Sequence, residues 1–591
     1  MVVLSKCKVF WRAATAALAV IGVISALAGT AKQTVPNFRL LDHQGNSFEL
    51  YRAKDSKAVV VMTTGTGCPI VRHSLAELKL LRSRFATNGV AFLLLDSNTG
   101  DTVEQIAEEV REYSIDFTVL MDREQLVGRQ LGATRTAEVY VIDPKDWSVA
   151  YRGPVDDRVD YGQQKPKANK PYVANALEAI LSGSPLKTTR VAAKGCAIAY
   201  EGAFSKSAHT VSYSSEVAPV ILENCGGCHQ KGGIAPFAYD GFERVRSKSA
   251  TMLEALLEKR MPPWQPNPDH GCFANDRSLA PEKKRILAAW VEQGCPRGDG
   301  ADPLAARVTQ PAGDWPLGKP DLIVQMPQAM ELPATGLVPY QYLEVSAPVT
   351  DDTWVRGAVI RAGNSRVVHH CLVFIKYPEE LRGQEPRQDA GSSGFFAGYV
   401  PGTQHVFFPN DTGKFVPKGS KFVFQMHYTT TGKPETDRTE MGLYTLADQP
   451  KHELITGAVN NLDFRIPPGA FGHPVRAEVV APKDSVLYDF SPHMHLRGYS
   501  FQYEAEYPDG RRELLLAVPR YDFNWQFQYR LKEPKRLPAG TKLICSGTYD
   551  NTAANPANPD PGVEVAVGEK TTDEMFIGYF DYAEVRQFSA N

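Results

Sequence analysis

Thr63-Thr64-Gly65-Thr66-Gly67-Cys68-Pro69 joins a short apolar run, residues 58–62, to a helical pattern over 74–86. Further apolar runs follow at 90–95, 117–121 and 138–142, with a second helical pattern at 102–113. Strands alternating with helices predict βαβ units and a largely parallel sheet, here an α/β domain over residues 32–200. Cys68 then falls at a helix N-terminus, where free N–H groups and the macrodipole favour the thiolate.

The segment resembles the thioredoxin-like redoxins. Val71 stands where a C-x-x-C exchanger has its second cysteine, and Ala137 where the family usually has a cis-proline. Gly65 replaces the Thr or Ser of the peroxiredoxin pattern. Cys68 and Cys196 are the candidate redox thiols, and a purely structural domain is the alternative.

Lys6, Lys8 and Arg12 precede an apolar run over 13–28 that ends in small residues, the layout of a secretory signal peptide over 1–31. The run is short of the ~18 residues needed to span a bilayer, so cleavage is expected and an uncleaved anchor is the alternative. No later stretch is long enough to span. The chain is expected to be exported, periplasmic or extracellular, where disulfide bonds can form. Its 591 residues suit several domains, and 43% hydrophobic residues allow sizeable cores. Sixty-five basic against sixty-seven acidic residues give no support to a nucleic-acid partner, which needs a strongly basic face.

Cys225-Gly226-Gly227-Cys228-His229 has the spacing for covalent haem c, two thioethers and a histidine below the iron. A zinc pair with distant partners is the alternative. Helical patterns at 215–223, 244–259 and 281–293 surround it, with Met261-Pro262-Pro263-Trp264 between the last two. Residues 205–305 resemble a class I-type cytochrome c, which implies an α-helical domain with His229 and Met261 as axial ligands. Met261 could equally be core. Cys272 and Cys295 flank the last helix and are candidates for a disulfide.

From residue 311 the texture becomes all-β, with alternating runs at 367–375, 421–429, 478–489 and 500–507 between Gly/Pro/Asp turns. Two jelly-roll-like sandwich units are predicted, 311–448 and 449–591. Eight of the thirteen histidines fall after residue 360. On a strand, His493 and His495 share a face and can chelate one ion. Adjacent His369 and His370 face opposite ways unless a bulge or strand end intervenes, and His427 would then complete their site. Imidazole suits copper in both oxidation states, and a thioether stabilises Cu(I).

These motifs resemble the copper type II, ascorbate-dependent monooxygenases, the family of dopamine β-monooxygenase and the peptide-amidating hydroxylase. The resemblance implies two coppers per chain. His369, His370 and His427, with Gln425 in the matching place, would hold the electron-transfer copper. His493, His495 and Met575, the last within Thr572-Asp573-Glu574-Met575, would hold the catalytic one. The implied reaction inserts one atom of O2 into an activated C–H bond of a small organic substrate. Electrons would come from ascorbate or another reductant, here through the fused haem or a redox partner protein. Ser491 and Ile577 stand where the amidating branch has its carboxylate-holding Arg and Asn, so a neutral or weakly polar substrate is expected. Cys371 and Cys545 alone remain of the family's cysteines, so packing must replace bridges. His405, His452 and His473 match no ligand motif. The competing class is a non-enzymatic copper-binding and electron-transfer or thiol-redox protein of the cell envelope.

Overall fold

The computed structural model describes residues 32–585 except 161–162, 166, 232, 234, 306–314, 337, 382–393 and 401–404; the signal expected at 1–31 lies outside them. The chain divides into two compact units near residue 200, one of residues 1–43 and 48–200, the other of 44–47 and 201–591. The protein is therefore multidomain.

In the first unit, β1 (Arg39–Asp42), β2 (Ala58–Thr64), β3 (Val90–Asp96), β4 (Thr118–Met121), β5 (Val139–Asp143) and β6 (Ser148–Gly153) lie in the order β1-β4-β3-β2-β5-β6. The pairs β2–β3 and β3–β4 are parallel, as their intervening helices require, but β1–β4, β2–β5 and β5–β6 are antiparallel, so the sheet expected to be largely parallel is mixed. Strand β2 is buried along its whole length, which is why it reads as a continuous apolar run. Helix α1 (Pro69–Phe85) starts with proline in its first turn, where the missing N–H costs nothing, and buries Val71, Leu75, Leu78 and Phe85 along one stripe. Helix α2 (Val103–Glu112) is fixed by a capping box of Thr102 and Gln105. Helices α3 (Leu126–Leu131) and α4 (Tyr172–Ser182) complete this thioredoxin-like α/β domain.

The second unit opens with short helices: α5 (Ala218–Asn224), α6 (Phe242–Ser247), α7 (Ser249–Leu257) and α8 (Pro281–Glu292). The single helix expected over 244–259 is two, because Lys248 leaves helical geometry at φ −107°, ψ 6°. Cys272 and Cys295 do not form a disulfide; both thiols are free. The backbone at Cys272 is tied instead to Lys532, whose N–H it accepts at 2.8 Å, whereas Cys295 is buried at the end of α8.

Two pairs of sheets follow, antiparallel except where Thr412–Val416 pairs in parallel with His452–Glu453. In the first, β7 (Gln341–Ser346), β8 (Val368–Lys376), β9 (Phe395–Tyr399) and β10 (Lys421–Tyr428) run in the order β7-β10-β8-β9. They share a core with a five-stranded sheet containing Thr353–Arg361 and Glu440–Thr445. The second pair has β11 (Ile455–Asn461), β12 (Phe471–Val480), β13 (Ser485–His493), β14 (Gly498–Glu506), β15 (Arg512–Val518), β16 (Tyr529–Leu537), β17 (Lys542–Asp550) and β18 (Phe576–Glu584). Its sheets run β11-β18-β13-β16 and β12-β17-β14-β15 around a Phe/Tyr-rich core. The one run expected over 478–489 is thus two strands in opposite sheets, broken at 481–484, where Pro482 has no N–H to offer a ladder.

The two sheet pairs are joined by a buried cation. Lys414 Nζ donates to the Phe396 carbonyl and to Thr456 Oγ1, both at 2.9 Å, and lies 3.5 Å from Asp581 of β18. Removing one partner of such a pair costs about 3–5 kcal/mol, since the other is left charged and buried.

Candidate redox and metal centres

Cys68 caps α1 and is buried, and its Sγ lies 3.1 Å from Thr136 Oγ1 and 3.0 Å from the Cys196 sulfur. Both thiols are free, and 128 positions separate them in sequence. The chain reaches across because residues 195–198 run beside 134–136: Thr136 N–H donates to the Cys196 carbonyl, and Cys196 N–H to Thr136 Oγ1. Only glycine fits at 195, where a Cβ would meet the Thr136 carbonyl oxygen at 1.9 Å. Burial works against the Cys68 thiolate, but hydrogen bonds from Thr136, Cys196 and the Val71 backbone outweigh it and lower its pKa. Cys196 moves up, through burial and its bond to Cys68. The pair is a nucleophile and a proton-holding partner. The preceding loop is clasped by two carboxylates: Asp101 accepts from Thr66 and Glu109 from Gly67 N–H.

Cys225 ends α5, and the chain turns so that His229 N–H donates to the Cys225 carbonyl at 3.0 Å. His229 Nδ1 bonds the Phe237 carbonyl at 3.0 Å, and its ring packs between Phe237 and Tyr239, each 4.8 Å away. A carbonyl on Nδ1 fixes the tautomer and leaves Nε2 as the free ligand atom. Burial pushes the Cys225 thiol up to about 12 and raises Cys228 as well. Met261 is half-buried in the turn after α7, in a loop whose Trp264 packs edge-on to Tyr529 at 5.2 Å.

In the β half, the β8–β10 register slips between Val368 and His370, so that His370 pairs with His427. The slip lets neighbouring imidazoles turn to one side. His369, His370 and His427 bring one ligand atom each within 4.8 Å of one another. His369 Nε2 meets Asn524 Oδ1 at 3.0 Å and His370 Nε2 meets Tyr340 Oη at 3.4 Å, while the two Nδ1 atoms face each other at 3.1 Å. His427 Nδ1 is buried with no hydrogen-bond partner. An orphaned buried nitrogen beside two more converging ones fits a metal bound through Nδ1.

His493 and His495 arrange the opposite nitrogen. His493 Nδ1 bonds Gln526 Oε1 at 2.6 Å and His495 Nδ1 the Asp573 carbonyl at 3.1 Å, leaving both Nε2 atoms available. Their rings are 5.2 Å apart. Glu574, fully buried, accepts from the N–H groups of His495 (2.9 Å) and Arg497 (2.6 Å), which ties the Met575 segment to the His-x-His turn. Tyr549 Oη donates to the Met575 carbonyl at 2.7 Å. Burial lowers all five imidazole pKa values, His427 and His495 to about 3, so the rings are neutral and able to ligate.

Residues 30–170 match the family described as Redoxin. Residues 30–170 are a redoxin domain. Among solved structures, a hypothetical protein from Sinorhizobium meliloti is 30% identical over 29% of this chain and 93% of that one, with a TM-score of 0.27. An uncharacterized conserved protein from Geobacillus kaustophilus is 29% identical over 29% and 92%, TM-score 0.26. The peroxidoxin BcpB from Mycobacterium tuberculosis is 20% identical over 26% and 96%, TM-score 0.21. The search of curated proteins found no match. Among the described residues, no helix is long and apolar enough to cross a membrane.

Sequence reasoning missed the groups that orient the ligands. In the redoxin domain this is Thr136, which sits beside Cys68 although Ala137 replaces the family's proline. In the β half it is Asn524 and Gln526, within Tyr521-Asp522-Phe523-Asn524-Trp525-Gln526-Phe527-Gln528. That stretch alternates aromatic and amide or acid side chains just before β16, the signal that could have found it.

Proposed function

We propose that the chain is an exported copper-dependent monooxygenase, hydroxylating an activated C–H bond with O2, with electrons supplied through a haem c held by Cys225, Cys228 and His229. The observation that carries this reading is the pair of imidazole groups built with opposite free nitrogens, three Nδ1 in one and two Nε2 in the other. When bound, copper would supply one-electron transfer at the first group and O2 activation at the second. Met575 would add a soft donor to the second group, suited to Cu(I). Asn524, Tyr340, Gln526 and the Asp573 carbonyl hold the rings in ligating orientation, a support typically worth 10–100-fold in metal affinity. Phe523 packs against both groups. Leu372, Phe395 and Tyr579 give an apolar wall beside His493 for the carbon to be attacked. Oxygen uptake in the presence of copper and ascorbate tests the reading. Met575→Ile is expected to abolish uptake and His427→Ala to remove one copper per chain. Uptake unchanged in both variants would overturn it.

A second reading, thiol–disulfide redox chemistry in the envelope, is the one the Redoxin match favours. It rests on the 3.0 Å approach of Cys68 to Cys196. Oxidation by a peroxide or a partner disulfide would join the two sulfurs, with two electrons passing to the oxidant. Peptide mapping after mild peroxide treatment should find a Cys68–Cys196 bridge; a bridge to neither thiol would remove this activity.

A further inference from the structure

After α4 the chain returns over the first unit, from Ser184 to Tyr200, with no helix or strand of its own. Two single bridges hold this strap: Arg190 lies parallel to Arg152 of β6, and Ala197 antiparallel to Arg135. At the first clasp, Arg152 N–H donates to the Thr189 carbonyl and Val191 N–H to the Arg152 carbonyl, both at 2.9 Å. Gly153 allows that approach, since a Cβ there would stand 2.8 Å from the Val191 carbonyl oxygen. At the second clasp, Thr136 N–H donates to the Cys196 carbonyl at 2.9 Å and Ile198 N–H to the Thr134 carbonyl at 3.0 Å. Side chains reinforce it. Fully buried Gln125 donates to the Ala199 carbonyl at 2.9 Å, Arg135 to the Gly195 carbonyl at 3.0 Å and the Tyr200 hydroxyl to the Ala133 carbonyl at 2.8 Å.

Lys194-Gly195-Cys196-Ala197-Ile198 thus lies on residues 134–136 as a bound peptide strand would. In such pairing the main-chain bonds hold any sequence, and the side chains decide which one fits. Here Gly195 passes the Thr136 carbonyl where no Cβ has room, Ile198 is buried as an apolar anchor, and the sulfur between them meets Cys68 at 3.0 Å. The strap lies outside the redoxin domain of residues 30–170. Cys68 is only 3% exposed, whereas Cys196 is open to solvent. A second peptide therefore has no approach to Cys68 while the strap is down. Backbone bonds and few apolar contacts are the make-up of a segment that opens without unfolding its domain.

We propose that residues 189–200 are an intramolecular stand-in for a peptide substrate, which lays Cys196 on Cys68 and denies residues 134–136 to other disulfide-bearing peptides until it lifts. The proposal rests on the thiol-redox reading and names what that site accepts: an extended peptide with glycine before its half-cystine. With the strap lifted, the Cys68 thiolate attacks the partner disulfide; one sulfur joins Cys68, and the other leaves and takes up the proton that Cys68 gave up. Cys196 then returns, loses its proton and attacks the Cys68 sulfur, so that the second partner sulfur leaves as a thiol. The partner gains two electrons, and the Cys68–Cys196 bridge closes the strap.

The test uses the full chain with Cys196→Ser, so that Cys68 is the thiol followed, by peptide mapping. The probe is the peptide Gly-Cys-Ala-Ile, activated as its 2-nitro-5-thiobenzoate mixed disulfide. Adding Gly195→Ala, or independently Ile198→Ser, should speed labelling of Cys68 by about tenfold or more, because reaction then no longer waits for a local opening. Circular dichroism reports the fold of each variant. A synthetic copy of residues 189–200 carrying Cys196→Ser should slow labelling again in the freed chains and leave the strapped chain unchanged. Equal labelling of strapped and freed chains, or no protection by the copy, overturns the proposal. If these results hold but peroxide forms no Cys68–Cys196 bridge in the native chain, the strap stands and the thiol-redox reading falls. A bridge that forms while labelling ignores the strap variants has the opposite meaning.

Discussion

Phe523 and His427 have ring centres 5.6 Å apart, and the same phenyl ring lies 6.0 Å from His495. One buried side chain therefore packs against both imidazole groups, and it is part of the second unit's core. Its truncation should be felt in stability before any metal is added. Phe523→Ala is expected to cost about 3–5 kcal/mol, lost transfer energy plus an unfilled cavity. The thermal midpoint of the metal-free chain is the measurement. Phe523→Leu should recover much of the loss, and an unchanged midpoint for the alanine variant would mean the ring does not fill this space in solution.

Gln526 should separate the two metal groups. Its carbonyl oxygen fixes the proton on His493 Nδ1. Gln526→Leu leaves the ring free to rotate and its tautomer unset, so copper affinity at His493 and His495 should fall by about 10–100-fold. The His369, His370 and His427 group has its own tethers and should keep its copper. Titration against a Cu(I) chelator should then resolve one weakened and one unchanged equivalent. Equal weakening of both would show that the groups are not independent.

The parts legible in sequence were those that rest on local pattern. Residues 58–62 announced β2, and the C-x-x-C-H and His-x-His spacings announced their own geometry. The parts not legible depend on contacts between distant segments. Nothing around Gly195 advertises that Cys196 returns to Cys68, because a close approach leaves only a missing side chain as its trace. Nor does any local signal bring Asn275 to the start of β16, since its side chain bonds the Gln528 carbonyl and the Arg530 N–H across 253 and 255 positions. The break of 244–259 into two helices depends on one residue, Lys248, whose propensity is not unusual.

Thr136 should control the reactivity of Cys68. Its hydroxyl is the first of the hydrogen bonds that oppose burial and stabilise the thiolate. Thr136→Val removes it at nearly constant volume, so the pKa of Cys68 should rise and iodoacetamide alkylation should slow at neutral pH. Cys196→Ser keeps a hydroxyl donor and should perturb Cys68 less. The pH profile of alkylation decides between them: a midpoint unmoved by Thr136→Val would assign the thiolate's stabilisation elsewhere.

The redoxin domain should lose stability as pH rises from about 4 to about 8. Asp96 is buried at the end of β3; burial first, and then the like charge of Asp101, raise its carboxyl from 3.8 to about 8. Its Oδ1 accepts both Asn98 bonds at 2.8 Å, while buried Oδ2 has no partner and is the natural seat of the proton. Asp122, fully buried, is raised in the same direction to about 7. A folded-state pKa above the unfolded one means that the native state binds the proton more tightly. The resulting stabilisation is complete below 3.8 and disappears as pH passes through about 8. Asp96→Asn keeps the accepting oxygen and cannot ionise, so it should flatten much of the slope, with Asp122 leaving a residue of it. Hydrogen exchange of the β3 amides at pH 5 and pH 8 is the measurement, corrected for the intrinsic pH dependence of exchange. Protection that is equal at the two values in the native chain, or a slope unaltered by Asp96→Asn, would show that Asp96 is already ionised and hydrated in solution.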